Sequence, residues 1–156
     1  MKKLLLSLSL ALAAGLAGAY ERPYNPSADA KADIHAALTQ AAAAKQPVLL
    51  IFGANWCEDC RALDQALHTG KNAELISSHF RVVKVDVGNF DHNLDIANAY
   101  GNPIKKGIPA AVIVSPDNQV LFATRAGELA DARHMSDDGV YEFFRKAADG
   151  SSAAKH

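Results

Sequence analysis

Two cysteines, and no others, stand in this chain, and three positions separate them: Trp56-Cys57-Glu58-Asp59-Cys60. Thiol chemistry needs a thiolate. A cysteine at the first turn of a helix gains one from unpaired backbone N–H groups and the helix dipole. Cys57 is placed for that role, as the attacking nucleophile. Cys60, three residues on and on nearly the same helical side, is placed to attack a mixed disulfide at Cys57 and release the substrate. A loop this short restricts the unfolded chain weakly, so the pair makes a poor structural staple. A metal site would need a second ligand pair, drawing on residues such as His68 or His79, and no such spacing exists. The expectation is therefore no metal and no cofactor beyond a redox-active disulfide. The six histidines share no spacing and are assigned no role.

These residues need a scaffold, and the pattern around them supplies one. Asp29 to Lys45 is alanine-rich with helical periodicity, ended by Gln46-Pro47. Val48 to Phe52 is a continuous apolar run, which predicts a strand covered on both faces. Gly53-Ala54-Asn55-Trp56 is a turn. A helix follows from Cys57 to about His68, with Gly70 expected as its C-cap. Asn72 to His79 is helical, Phe80 to Val87 a second buried strand, and Asp91 to Tyr100 a short helix. After Gly107-Ile108-Pro109, the runs 111–114 and 120–123 flank Ser115-Pro116-Asp117-Asn118 and predict a hairpin. Asp137 or Asp138 caps a last helix to about Ala148, with Val140, Phe143 and Phe144 inward, and residues 151–156 are expected to fray. Parallel crossovers come first and an antiparallel ribbon second, so the fold class is α/β with a central mixed sheet flanked by helices.

The N-terminus is read apart from this domain. Met1-Lys2-Lys3, an apolar run from Leu4 to Leu16, and Ala17-Gly18-Ala19 make a secretory signal peptide, cut after Ala19. The run is too short to span a bilayer. The expected organisation is 1–19 signal peptide, 20–150 one domain and 151–156 tail, with the mature chain exported to the periplasm or beyond and not inserted in the membrane. The net charge is −1, with no basic cluster larger than Lys105-Lys106, so nucleic acid is not an expected partner.

Strand, Trp56, C-x-x-C, helix and a distant Ile108-Pro109, in that order, resemble the thioredoxin family from about Gln46 to Ala148. Ala54-Asn55-Trp56-Cys57-x-x-Cys60 looks most like secreted bacterial members and the soluble C-terminal domain of the membrane disulfide reductase DsbD. The resemblance implies that Pro109 is cis and lies against the cysteines, that the backbone of Ile108 pairs with substrate, and that Trp56 shields the disulfide face. Lys84 also matches a family position. Position 51, where family members carry a buried aspartate, is Ile51 here. Lys84, Glu58 or a water are then the candidates to handle the resolving thiol's proton. The longer segment 88–106 is expected to rebuild the rim near Pro109.

Glu58 and Asp59 place two carboxylates where they oppose a thiolate, which favours a more stable disulfide and hence reductase or isomerase over oxidase. Both also suit a helix start. Expected partners are protein thiols and disulfides together with an upstream redox partner, a membrane electron-transfer protein being one candidate. A DsbA-like oxidase, or a non-catalytic thioredoxin-fold binding or chaperone module, is the alternative.

Overall fold

A computed structural model describes residues 22–153. The signal-peptide reading, residues 1–19, lies outside them.

The element order is α1 (Ala30–Ala44), β1 (Val48–Gly53), α2 (Glu58–Leu67), α3 (Gly70–His79), β2 (Arg81–Asp86), α4 (Leu94–Ala99), a 3₁₀ turn (Pro103–Lys106), β3 (Ala110–Val114), β4 (Val120–Ala123), a second 3₁₀ turn (Ala132–His134) and α5 (Asp137–Ala153). The four strands form one sheet in the order β2-β1-β3-β4. β1 runs parallel to β2 and antiparallel to β3, and β3 pairs antiparallel with β4. The expected parallel-then-antiparallel division holds.

Alternation along β1 explains both cores. Val48, Leu50 and Phe52 face α1 and the arm that precedes it, meeting Tyr24, Ile34, Ala37 and Ala41. Leu49 and Ile51 face the opposite side, meeting Leu63 and Leu67 of α2, Leu75 and Ile76 of α3 and Phe144 of α5. A strand buried on both faces must be apolar at every position, and β1 is. Asp29 caps α1 by accepting the Ala32 N–H at 3.0 Å, and Lys45 ends it in the left-handed region.

Five expectations need correction. Asp137 and Asp138 do not cap α5 but form its first turn, and Ser136 caps it, its Oγ accepting the Gly139 N–H at 3.1 Å. Gly70 does not cap α2; His68 does, and Gly70, with φ +51°, opens α3 two residues earlier than predicted. β2 is an edge strand, so its start is not buried: Arg81 and Val82 are exposed while Val83, Val85 and Asp86 are covered. α4 is shorter than the expected span from Asp91, because Phe90 and Asn93 both have positive φ and break helical geometry. α5 continues to Ala153, past the end expected near Ala148, and Arg145 bridges Glu142 and Asp149 along its surface.

Candidate active site

The turn between β1 and α2 presents the two cysteines. The Cys57 N–H donates to Ala54 O at 3.2 Å and closes the turn, so Cys57 becomes the N-cap of α2. Its Sγ accepts the Cys60 N–H at 3.1 Å. This is the geometry in which a sulfur anion meets a backbone donor and the positive end of a helix. Cys57 and Cys60 are joined as a disulfide, with Cα atoms 5.2 Å apart. Cys60 is fully buried and Cys57 is 5% exposed, so the pair reaches the surface through Cys57.

The loop before β3 meets it from across the sheet. Gly107, at φ +117°, lets the chain turn into Ile108, and the Ile108–Pro109 peptide is cis. The Ile108 carbonyl oxygen lies 3.6 Å from Cys57 Sγ. The structure thus brings Cys57, Cys60, Ile108 and Pro109 together, as the resemblance implied.

Trp56 adjoins the pair but is no core residue. It is 52% exposed, its Nε1 donates to Gly88 O at 2.8 Å, and its ring meets Phe90 with centroids 6.1 Å apart. Segment 88–106 therefore does form part of the rim. Phe90 and Leu94 add exposed apolar surface beside Trp56, and a cleft of about 470 Å³ runs from them past Ile104 to Lys105 and Gly107.

The acidic pair has a partner that the local sequence does not announce. Arg133, in the 3₁₀ turn before α5, places Nη1 2.7 Å from Glu58 Oε2, and its backbone N–H donates to Asp59 Oδ1 at 3.0 Å. Glu58 is largely exposed and Asp59 largely covered. The two negative charges next to Cys57 are partly offset by one positive charge.

Lys84 sits in register beside Ile51 on the neighbouring strand and is held in an ion pair. Its Nζ pairs with Asp64 Oδ1, with the carboxylate side chain 10% and the lysine side chain 24% exposed. Asp64 was not singled out from sequence, although Cys60, Asp64 and Leu67 recur at helical spacing on the stripe that packs inward. An acid on an apolar stripe is the readable signal. Ile51, Asp64, Leu67, His68, Ile76 and Lys84 line a cavity of about 620 Å³ that contains neither cysteine.

Tyr24 escaped the sequence reading, and Asn55 was read only as part of the pattern before Cys57. The side chain of Asn55 clamps the backbone of Tyr24: Oδ1 accepts the Tyr24 N–H at 3.0 Å, and Nδ2 donates to Tyr24 O at 2.7 Å. The Tyr24 ring is buried beside the disulfide. Burial first, and then the fields of Asp64 and Asp86, push its phenol pKa far above the usual value. Asp86 is itself buried, and its Oδ2 accepts the Gly88 N–H at 3.1 Å. Among the described residues no group of three or more His, Cys, Asp or Glu side chains is arranged to hold a metal.

A helix-capping dithiol pair on a mixed sheet, faced by a cis-proline loop, defines a thiol–disulfide oxidoreductase of thioredoxin-like fold. The thioredoxin-like family model matches residues 29–116, more than half of the chain, and the protein belongs to that family. Its fold is shared with a solved disulphide isomerase from Xylella fastidiosa Temecula1, which is 54% identical (TM-score 0.79; 81% of this chain and 96% of that one covered). The oxidised DsbD C-terminal domain of Neisseria meningitidis is 21% identical (TM-score 0.51; 76% and 96% covered). A thioredoxin from Thermus thermophilus is 19% identical (TM-score 0.52; 73% and 80%). No curated protein matches the chain. Among the described residues no helix is long and apolar enough to cross a membrane.

Proposed function

We propose that this protein is exported and reduces or isomerises disulfides in other proteins, with Cys57 as nucleophile and Cys60 as resolving thiol. The observation that carries the reading is the position of Cys57 Sγ: at the N-cap of α2, 3.6 Å from the Ile108 carbonyl, on the exposed side of the pair. In the reduced enzyme the Cys57 thiolate attacks a substrate disulfide, forms a mixed disulfide and expels one substrate thiolate. Cys60 then attacks Cys57 Sγ, re-forming Cys57–Cys60 and releasing the second substrate thiol. The substrate gains two electrons and the enzyme dithiol loses two. In isomerisation, a thiol of the substrate resolves the mixed disulfide instead, and the enzyme returns reduced.

Pro109 and the Ile108 backbone offer an extended substrate chain its main-chain contacts, while Trp56, Phe90 and Leu94 give it an apolar ledge. Such a ledge suits segments of incompletely folded proteins, which expose apolar residues beside their cysteines. The carboxylates of Glu58 and Asp59 favour the reducing direction, and the relative at 54% identity is described as a disulphide isomerase, which supports isomerisation as one of the two activities. An upstream donor must return two electrons after each reduction, and a membrane electron-transfer protein fits an exported reductase. Insulin reduction and the refolding of scrambled ribonuclease test the proposal together. Activity in either, lost in Cys57→Ser, supports it; activity in neither, or an undiminished Cys57→Ser variant, refutes it.

A further inference from the structure

We infer that the Tyr24 hydroxyl is a hydrogen-bond donor to Cys60, serving the step in which Cys60 resolves the mixed disulfide. The inference rests on the reading of Cys60 as resolving thiol.

Cys60 has a problem that Cys57 does not. It is wholly covered, so water cannot solvate the charge it carries when it attacks. Position 51 supplies no polar group: it is Ile51, whose side chain packs in the other core. The charged groups near Cys60 are already engaged. Asp64, one turn further along α2, is paired with Lys84 of β2, and Asp86 of β2 holds the Gly88 N–H.

Tyr24 fills this gap from the arm before α1. Its backbone is fixed by both polar atoms of the Asn55 side chain, and Arg61 Nη1 in turn donates to Asn55 O at 2.8 Å. The ring is thus held by the same turn that presents the cysteines. Gly53, the last residue of β1, shows where the hydroxyl points. A methyl group on Gly53 would sit 2.3 Å from Tyr24 Oη, an overlap, and 3.0 Å from Cys60 Sγ, so the hydroxyl occupies the space over the bare Cα of Gly53, on the side where the sulfur also lies. Only glycine at position 53 leaves the hydroxyl room to lie there. Burial keeps the phenol protonated, which suits a donor and rules out a base.

The chemistry balances without any net transfer to tyrosine. Cys60 gives up its proton and attacks Cys57 Sγ. The Cys57–Cys60 bond forms, the bond from Cys57 to the substrate sulfur breaks, and that sulfur leaves with the electron pair and takes up a proton. Tyr24 donates a hydrogen bond while the charge is on Cys60, and keeps its own proton throughout.

The test isolates this step. Reduced protein is converted at low pH to the Cys57–glutathione mixed disulfide with oxidised glutathione, then jumped to pH values from 6 to 10, quenched with acid and quantified by mass. Tyr24→Phe, which keeps the ring, should form the mixed disulfide at the parental rate but release glutathione about tenfold more slowly, with the pH midpoint of release raised by about one unit. The deficit should close above that midpoint, which a general loosening of the site would not produce. If Tyr24→Phe fails to fold, 3-fluorotyrosine at position 24, nearly isosteric and a stronger donor, should shift the midpoint down. An unmoved release profile overturns this inference while leaving the oxidoreductase reading intact. A parental protein that neither forms nor resolves the mixed disulfide overturns both.

Discussion

Arg133 sets how far the acidic pair can act on Cys57, and replacing it by Met gives a prediction with a fixed sign. The variant loses the guanidinium 2.7 Å from Glu58 but keeps the backbone N–H that binds Asp59, so the 3₁₀ turn retains its anchor. At a separation of ~7 Å from the Cys57 sulfur, each of these carboxylates would cost a thiolate roughly 0.6–2.4 kcal/mol for an effective dielectric between 80 and 20. A guanidinium at ~9 Å would return roughly 0.5–1.8 kcal/mol. It cancels most of one carboxylate, leaving the pair with roughly 60% of the influence that the sequence alone suggests. With ~30 mV for each 1.4 kcal/mol in a two-electron couple, Arg133→Met should make Cys57–Cys60 more reducing by roughly 10–40 mV.

The pH dependence sharpens the test, because the charge acts on the thiolate and not on the neutral thiol. The full shift appears only where Cys57 is ionised in the reduced protein, so it should grow as pH rises and fade in acid. Equilibration with glutathione at about pH 9.5, an ordinary thiol being mostly ionised there, is the measurement, repeated at high salt to screen the exposed charges. Glu58→Gln with Asp59→Asn should move the potential the opposite way, by roughly two and a half times as much. An Arg133→Met potential that is unchanged or more oxidising at that pH would refute the electrostatic argument and reduce the acidic pair to a helix-start feature.

Two other outcomes follow from burial. Lys84→Met strands the Asp64 carboxylate under cover and should cost about 2–4 kcal/mol in urea unfolding, whereas Asp64→Asn, leaving a lysine that can reach solvent, should cost only about 1–2 kcal/mol. The double variant should cost less than the two together; strict additivity would mean that the pair is not coupled. In the reduced protein, brief iodoacetamide treatment should label Cys57 first, since Cys60 is the fully covered member, and mass mapping that finds Cys60 modified first would reverse the roles assigned to them.

Most of the scaffold was legible because local pattern and tertiary demand agree. The uninterrupted apolar run at 48–52 had to be covered on both sides, and the hairpin was announced by Ser115-Pro116-Asp117-Asn118, where Asn118 takes φ +60° and its N–H returns to Ser115 O at 2.8 Å. Gly70 misled because glycine marks a positive φ without saying which helix that residue belongs to. β2 misled because alternating valines look alike in a central and an edge strand, and only the sheet order leaves Val82 uncovered.

The site divides along a different line. Cys57, Cys60, Trp56, Ile108 and Pro109 were readable because each is tied to a motif. The residues that tune them were not, because they arrive from elsewhere in the chain and no short-range pattern marks them. Arg133 reaches Asp59 across 74 positions, and Asn55 reaches Tyr24 across 31. Asp64 lies between these cases: its place on the inner stripe of α2 was visible, but its partner Lys84 was not. The consequence is a division of labour within the fold. The helix N-cap and the proline loop are local devices that place the sulfurs, whereas the charge offset at Cys57 and the polar environment of Cys60 depend on the 3₁₀ turn before α5 and on the arm before α1. Changes in those two segments can shift the potential and the resolving step while leaving every motif residue in place.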